Sequence, residues 1–376
     1  MPRIAIVCRD LRGLGGTTRT VVEHAALLKE AGWMTDCLAY RFDRKRLQAA
    51  GAKLRWVPGF PWGSWAKRRL FAALADRMSS GYDVVHGHGD NLEQDILSLH
   101  NCVHAAHEAV HGAPLPEKDS VGRLHAMQLK DLRFKLLICN SKQTAEDARR
   151  RFGVPENMIR VIYPGHDPRQ FNASHARKLR APARAQLGYR DDDCVIGLIT
   201  SGDFEKRGVG LFLRALRELR RHGQNFKALI AGKEAKLGPY LRLVSELGLG
   251  EQVRFMPART DVENFYHALD VYCHPALYEE FGQSVQEALA CGLPVVVGRR
   301  VGAAELLAPG LEELVVRPDA VDLAAKLSGL CADAERRRRV GAAGPAGVVR
   351  NTWRTNFELT MATYDLVRSS EASRKR

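Results

Sequence analysis

Short apolar runs alternate along this chain with longer stretches whose apolar positions recur every three or four residues. The runs at residues 4–8, 35–40, 54–57, 83–86, 95–100, 136–140 and 160–163 read as strands. A second series follows at 195–200, 227–231, 253–256, 271–274, 294–297 and 313–316. Helical periodicity fills most of the gaps, for example at 18–31, 142–152, 209–222, 238–246 and 284–291. Alternation of this kind predicts an α/β fold of parallel sheets with helices on both faces, and two series predict two Rossmann-like domains. The first is expected over 1–165 and the second over 166–352. Pro164, Gly165, Pro168 and Pro182 punctuate 163–187, a stretch of Arg, Ala and Lys without strand pattern, and mark the boundary. The last helix, about 353–368, follows a Gly-, Ala- and Pro-rich segment at 341–347 and is free to pack on either domain, including back on the first. The small, polar, basic tail 369–376 is expected to fray. Two such domains predict sheets facing a central cleft. Ligands gather there at the carboxyl ends of strands, and helix N-termini favour a diphosphate.

Composition narrows the partners. The 376 residues carry 57 Lys and Arg against 43 Asp and Glu, a formal charge of +14. That excess suits nucleic acid, an anionic membrane surface or a phosphorylated substrate, or is simply a solvated surface. No apolar run approaches the roughly 18 residues of a membrane span. The first run is cut by Arg9 and Asp10 and is too short for a signal-peptide core. Eight scattered cysteines with no CxxC pair point to reduced, buried thiols of a cytoplasmic protein.

Three motifs carry chemistry. Gly13-Leu14-Gly15-Gly16-Thr17-Thr18 lies between the first strand and a helix, where glycines admit a ligand to the backbone and the helix offers free N–H groups. A plain tight turn reads the same way. Ser201-Gly202-Asp203-Phe204-Glu205-Lys206-Arg207-Gly208 follows the first strand of the second series. Its adjacent cations, at a helix N-terminus, suit a pyrophosphate. The third motif runs from Pro275 to Val296. Glu279 stands on a loop and Glu287 two turns along the next helix, with seven residues between them. One carboxylate can meet a sugar and the other a ribose, while Phe281-Gly282 offers backbone N–H groups.

This third stretch resembles the signature of the retaining glycosyltransferases of family four, which have the GT-B fold. The resemblance extends to the Gly15-Gly16 loop, Asp83-Val84-Val85-His86, Leu99-His100-Asn101, Asn140-Ser141-Lys142-Gln143-Thr144 and Pro164-Gly165-His166-Asp167. Residues 203–209 and Arg259-Thr260-Asp261-Val262 look most like the bacterial lipopolysaccharide core glucosyltransferases. The resemblance implies a hexose, glucose first, moved from a UDP-sugar to a lipopolysaccharide core or related cell-surface glycan. Other UDP-hexoses and GDP-mannose come behind as donors. It implies that Gly15 and Gly16 approach the donor diphosphate, that Lys206 and Arg207 neutralise it, and that Glu287 binds the ribose. Glu279 and the backbone of Phe281, Gly282, Gln283 and Ser284 would hold the sugar and phosphates. Arg259 would serve the uracil region and His100 the donor sugar. Metal independence and no cofactor beyond the donor are expected, with Glu279 as nucleophile, electrostatic stabiliser or sugar ligand. Preorganised positive charge beside the departing diphosphate would be the largest catalytic lever.

The chain also departs from the family pattern. Arg207 occupies the usual lysine position, Gly202 stands where an arginine is usual, and Lys206 is placed to supply that charge. Glu280 replaces a small residue. His100 is not shared by all core glucosyltransferases, which leaves another donor sugar open.

Rival readings rest on other residues. His107-Glu108-Ala109-Val110-His111 is an HExxH pattern, with His100 and His104 extending the same face, and would suit a zinc hydrolase. Arg336-Arg337-Arg338-Arg339 is the basic run that a nucleic-acid binder would use, although no nucleic-acid partner is expected. The aromatic and basic segment 60–71 suits an anionic inner-membrane surface, so a peripheral location on its cytoplasmic face is expected. The fold does not by itself decide the reaction, and a hydrolase or epimerase stays open.

Overall fold

The computed structural model describes residues 1–13, 15–59 and 64–374, with side chains described through residue 369. It divides into two units, Met1–Gly165 with Trp353–Arg376, and His166–Thr352.

The first unit contains β1 (Arg3–Val7), β2 (Asp10–Leu11), β3 (Met34–Ala39), β4 (Arg41–Phe42), β5 (Lys53–Trp56), β6 (Val84–Gly87), β7 (Ile96–Leu99), β8 (Leu136–Cys139) and β9 (Ile159–Val161). Seven of these form a parallel sheet in the order β5-β3-β1-β6-β7-β8-β9, and β2 pairs with β4 in a small ribbon. Strand β1 is central, and Ile4, Ala5, Ile6 and Val7 have no exposed surface, because helices cover both faces of a parallel sheet. The order reverses at β1 and β6, which opens a crevice beyond their carboxyl ends. The two-residue strands β2 and β4 are too short to leave a pattern in the sequence.

The helix Trp353–Arg374 completes this unit. Phe357, Tyr364 and Val367 join the core that holds Ile4, Ile6 and Trp33. Asn356 ties the helix to His24 at 2.6 Å and to the Tyr163 carbonyl at 2.7 Å. The helix continues past residue 369, where the sequence suggested fraying.

The second unit contains β10 (Val195–Ile199), β11 (Lys227–Ala231), β12 (Val253–Met256), β13 (Val271–His274), β14 (Val295–Gly298) and β15 (Val315–Val316). They form a parallel sheet in the order β12-β11-β10-β13-β14-β15, reversing between β10 and β13. Its core is led by Phe212, Leu216 and Leu219 of the helix Val209–Arg221 packed on β10 and β11.

Two stretches differ from the sequence expectation. Residues Ala173–Leu187 form a helix with Pro182 inside it, although the composition suggested a linker. Asn172 caps its start by accepting the His175 N–H at 2.8 Å, and Ala176, Ala183 and Leu187 supply a buried stripe. Arg184 looks like a surface cation in the sequence but is 1% exposed. It pairs with Asp270 and donates to the carbonyls of Ala268, Arg190, Asp191 and Asp193. Residues 341–347 likewise lie within the helix Ala334–Val348. Their small size serves packing: a Cβ on Gly341 would collide with the Gly292 carbonyl, so this helix lies close against the end of the helix Gln283–Ala290.

Candidate active site

In the second unit, the turn after β10 and the loop after β13 leave neighbouring strands at the reversal and meet. The Leu277 N–H donates to the Lys206 carbonyl at 2.9 Å. Gly208 ends the turn at φ 70°, and a side chain there would strike the Pro275 carbonyl, so only glycine lets the two segments touch. Gly208 is also the N-cap of the helix Val209–Arg221, so Lys206 and Arg207 stand beside that helix's positive end.

The cations meet two carboxylates. Lys206 Nζ donates to Glu280 at 2.9 and 3.2 Å, and the Arg207 guanidinium pairs with Glu279. Arg207 Nε also donates to Thr200 Oγ1 at 3.3 Å, and His274 Nε2 lies 3.4 Å from Glu279. These side chains are mostly enclosed, with Lys206 16%, Arg207 14%, Glu279 12% and Glu280 5% exposed. Burial alone would push the Glu279 carboxyl upward, but Arg207, His274 and Lys206 outweigh it and hold the group at about 2. The Glu279 backbone is fastened to Arg300 at 2.9 Å and Gly302 at 3.1 Å, and the Phe281 carbonyl accepts from Ala303 at 2.7 Å.

Gly282 caps the helix Gln283–Ala290, on whose first turn Gln283 and Ser284 lie. Glu287, one turn on, is 5% exposed and accepts the Tyr266 hydroxyl at 2.7 Å. The Tyr266 and Tyr272 rings lie 5.7 Å apart, and Tyr272 stacks on His274 at 6.2 Å. A continuous set of side chains therefore joins Glu287 to Glu279. Burial raises both tyrosine hydroxyls far above their ordinary range, so they stay neutral donors. Arg259 is held by Asp261, at 2.8 and 2.5 Å, with Phe265 under its guanidinium. Sequence reasoning overlooks Thr200, Tyr266, Tyr272 and His274, which lie in or beside apolar stretches and carry no motif of their own.

The first unit holds Gly15, Gly16 and His100. Gly15 caps the helix Gly16–Glu30, and open space lies where a side chain at position 15 would project. Leu14 of that motif lies outside the described residues. His100 follows β7, and its Nε2 lies 2.7 Å from Nδ1 of His88, which follows β6. The two rings stack at 4.9 Å, and His88 stacks on His86 at 4.6 Å. His86 is held by Tyr364 and Ser98, both at 2.8 Å. Burial lowers all three histidines, His100 to about 4, so the column is neutral near pH 7. Beside it lies a cavity of about 250 Å³ lined by Arg9, Thr17, Arg41, His88, Asp90 and Asn101. His88 is 6% exposed, and its Nε2 has no hydrogen-bond partner among the described residues.

The rival motifs are otherwise engaged. His107 and His111 lie 4.5 Å apart on the helix Val103–His111, but His100 does not extend that face, being stacked on His88. His104 packs on Phe152, and Glu108 forms a two-pronged pair with Arg151 at 2.8 Å. Among the described residues no group of three or more His, Cys, Asp or Glu is placed to hold a metal. In the basic run, Arg336 and Arg338 pair with Glu313 and Glu335. Arg337 caps the helix Ala320–Ala332 through the Leu330 and Cys331 carbonyls. Residues 60–63 of the aromatic segment lie outside the described residues. Trp65 starts the helix Trp65–Met78 with Arg123 and Arg69 over its ring, at 4.3 and 5.7 Å. No helix among the described residues is long and apolar enough to cross a membrane. All eight cysteines are free thiols.

Residues 182–346 match the family model of glycosyl transferases group 1, and residues 14–170 match that of glycosyltransferase family 4. A D-inositol 3-phosphate glycosyltransferase of Corynebacterium jeikeium is 31% identical over 307 residues, 76% of this chain and 72% of the relative. The chain belongs to the family 4 glycosyltransferases. A second D-inositol 3-phosphate glycosyltransferase, from Nocardia farcinica, is 27% identical over 92% of this chain and 82% of its own. Among solved structures, WaaG, a glycosyltransferase involved in lipopolysaccharide biosynthesis, has a TM-score of 0.79 at 18% identity, covering 97% of this chain and 99% of WaaG. Anabaena HepE in complex with UDP and glucose has a TM-score of 0.77 at 19% identity, covering 97% and 100%. These neighbours share the two parallel-sheet, Rossmann-like domains of the GT-B fold. For this family 4 member, the group 1 match spans Lys206, Arg207, Arg259 and 279–287, and the family 4 match spans Gly15, Gly16 and His100.

Proposed function

We propose that this glycosyltransferase moves a hexose, glucose first, with retention from a UDP-sugar to a lipopolysaccharide core or related cell-surface glycan. The observation that carries this reading is the enclosed meeting of Lys206, Arg207 and Glu279 beside a helix N-terminus. Fixed positive charge there would stabilise a departing diphosphate without reorganising. Glu279 stays ionised at any physiological pH, which suits it to stabilise an oxocarbenium-like centre or to hold a sugar hydroxyl. Glu287, already accepting the Tyr266 hydroxyl, has a carboxylate suited to a ribose. Gly15, Gly16 and His100 keep the donor roles that the family resemblance assigns, and Arg259 the uracil region. In this reading the first unit receives the acceptor. Neutral His88, set among the opposed charges of Arg9, Arg41, Asp10 and Asp90, suits a hydroxyl-rich molecule. Chemistry is carried without a metal or other cofactor, and the protein works at the cytoplasmic face of the inner membrane.

A thermal-shift screen against UDP, GDP, ADP and CMP tests the donor, because a ligand that binds the native state alone must raise its apparent stability. Selective stabilisation by UDP, lost in Glu287→Ala or Arg207→Ala, is the expected result. A response to GDP alone would replace the donor, and silence to all four would remove this reading. Sedimentation with anionic vesicles tests the membrane contact, which salt should weaken.

A second reading of the acceptor has its own support. The Corynebacterium and Nocardia relatives are named for D-inositol 3-phosphate, and a cavity of about 250 Å³, where Arg9 and Arg41 stand beside Asp10 and Asp90, has room for a small polyol. Transfer to inositol phosphate but not to a core oligosaccharide would favour it.

A further inference from the structure

Glu280 is the residue at which this chain departs from its family's small side chain, and the structure gives it a specific partner. Its carboxylate takes both Lys206 contacts, at 2.9 and 3.2 Å, and it is 5% exposed. Its neighbour Glu279 takes Arg207. Two cations and two carboxylates thus occupy one enclosed site, and its formal charge is zero rather than +1. Ion pairs out of water are sensitive to each missing charge, so this difference is large for an incoming anion.

We propose that Glu280 is a positioning residue that holds Lys206 in an ion pair and thereby sets how tightly the site binds a nucleoside diphosphate. The inference rests on the donor-site reading above and deepens it. A diphosphate entering beside Lys206 competes with Glu280 for the ammonium group. Binding then exchanges one ion pair for another instead of filling an unpaired positive site. The donor is held less tightly than two free cations would hold it, and the spent nucleoside diphosphate leaves sooner. As the sugar–phosphate bond breaks, negative charge grows on the leaving diphosphate, and the exchange shifts in its favour. Lys206 therefore contributes more as the bond breaks than it does to the bound donor, which is the condition for a contact to raise turnover rather than only affinity. Tyr278, with its ring 5.7 Å from Lys206 Nζ, keeps the ammonium near the same place while its partner changes.

The test is titration calorimetry of the full chain with UDP and with GDP, together with donor KM and kcat, on five proteins. These are the wild type, Glu280→Gln, Glu280→Asp, Lys206→Met and the Lys206→Met/Glu280→Met double variant. Glu280→Gln should bind the diphosphate on the order of tenfold more tightly, with a lower donor KM and a lower kcat from slower release. Lys206→Met, which takes the ammonium away from Glu280 and keeps the carboxylate's charge, should bind most weakly. The double variant, which removes one charge of each sign and needs no buried lone ion, should bind within about threefold of wild type. Glu280→Asp should restore wild-type KM and kcat together. Equal weakening by Glu280→Gln and Lys206→Met, or unchanged affinity in Glu280→Gln, overturns the inference while leaving the donor site standing. Wild-type protein that binds neither nucleotide removes the donor reading, and the inference with it. If Glu280→Gln does not fold, the double variant and Lys206→Met still decide the matter, because equal weakening in both contradicts the charge balance.

Discussion

The two units bring polar groups to the carboxyl ends of their sheets by opposite means. In the first, His86, His88 and His100 stack as neutral rings, anchored by Tyr364 and Ser98. In the second, Lys206, Arg207, Glu279 and Glu280 are ionised and paired. A buried neutral imidazole avoids the cost of desolvating a charge, but the protons it refuses favour the unfolded chain once the pH drops below about 6.5. A buried ion pair resists protonation but fails when one partner is removed. The same topological position is therefore sensitive to acid in one unit and to mutation in the other.

The largest effect should come from breaking a buried pair in the second unit. Arg184→Met leaves Asp270 with less counter-charge and frees several carbonyls, and should cost about 3–5 kcal/mol. Urea unfolding followed by hydrogen exchange should locate the loss in His166–Thr352, and a loss spread evenly over both units would dissolve the contrast. Next, Arg207→Ala should lower the transfer rate about 10²- to 10³-fold with little loss of stability in the first unit, as steady-state kinetics can read.

The acid response sharpens the comparison from the other side. Six histidines of the first unit are lowered, each chiefly by burial: His24, His86, His88, His100, His104 and His125. In the second unit His267 is lowered, again chiefly by burial. Between about 4 and 6.5 the unfolded chain binds protons at His100 and His125 that the folded chain refuses, and the other four act in the same direction. Stability is full above about pH 6.5 and falls as the pH drops toward 4, by up to about 1.4 kcal/mol per pH unit for each of these two. Glu279 has the opposite charge type but also a lowered value, so its contribution is lost only as pH falls from about 4.5 toward 2. Hydrogen exchange at pH 7 and pH 5, corrected for intrinsic rates, should show the first unit opening well before the second. The smallest effect belongs to Glu108→Gln, which removes a half-exposed pair with Arg151. It should cost under about 1 kcal/mol and leave transfer unchanged, whereas a zinc hydrolase would lose its base.

Much of the fold is legible from periodicity because parallel strands buried on both faces are short, nearly pure apolar runs. The runs at 227–231, 253–256 and 271–274 have the same bounds in sequence and structure. The helix Ala173–Leu187 is not legible in that way. Its buried face is made of Ala176, Ala183, Leu187 and the whole side chain of Arg184, too few apolar positions to set a period, and Pro182 reads as a breaker. Lys206, Arg207, Glu279 and Glu287 stand out as charges next to glycines at strand ends. The pairing of Glu280 with Lys206 is invisible in sequence, since 73 residues separate them and only the adjacency of β10 and β13 brings them together. His88 escapes notice for a similar reason: its partner His100 is supplied by the neighbouring strand.

The helix Trp353–Arg374 has a consequence for biosynthesis. Its Tyr364 holds His86, and its Phe357 and Val367 close the core around Trp33, yet the whole of His166–Thr352 is translated first. At ~5–20 residues per second, the ribosome takes on the order of ten seconds or more to supply that seal after the first sheet has emerged. The second unit can therefore finish folding before the first, and during that interval the open apolar face of the first sheet is the part of the nascent chain that a chaperone would shelter.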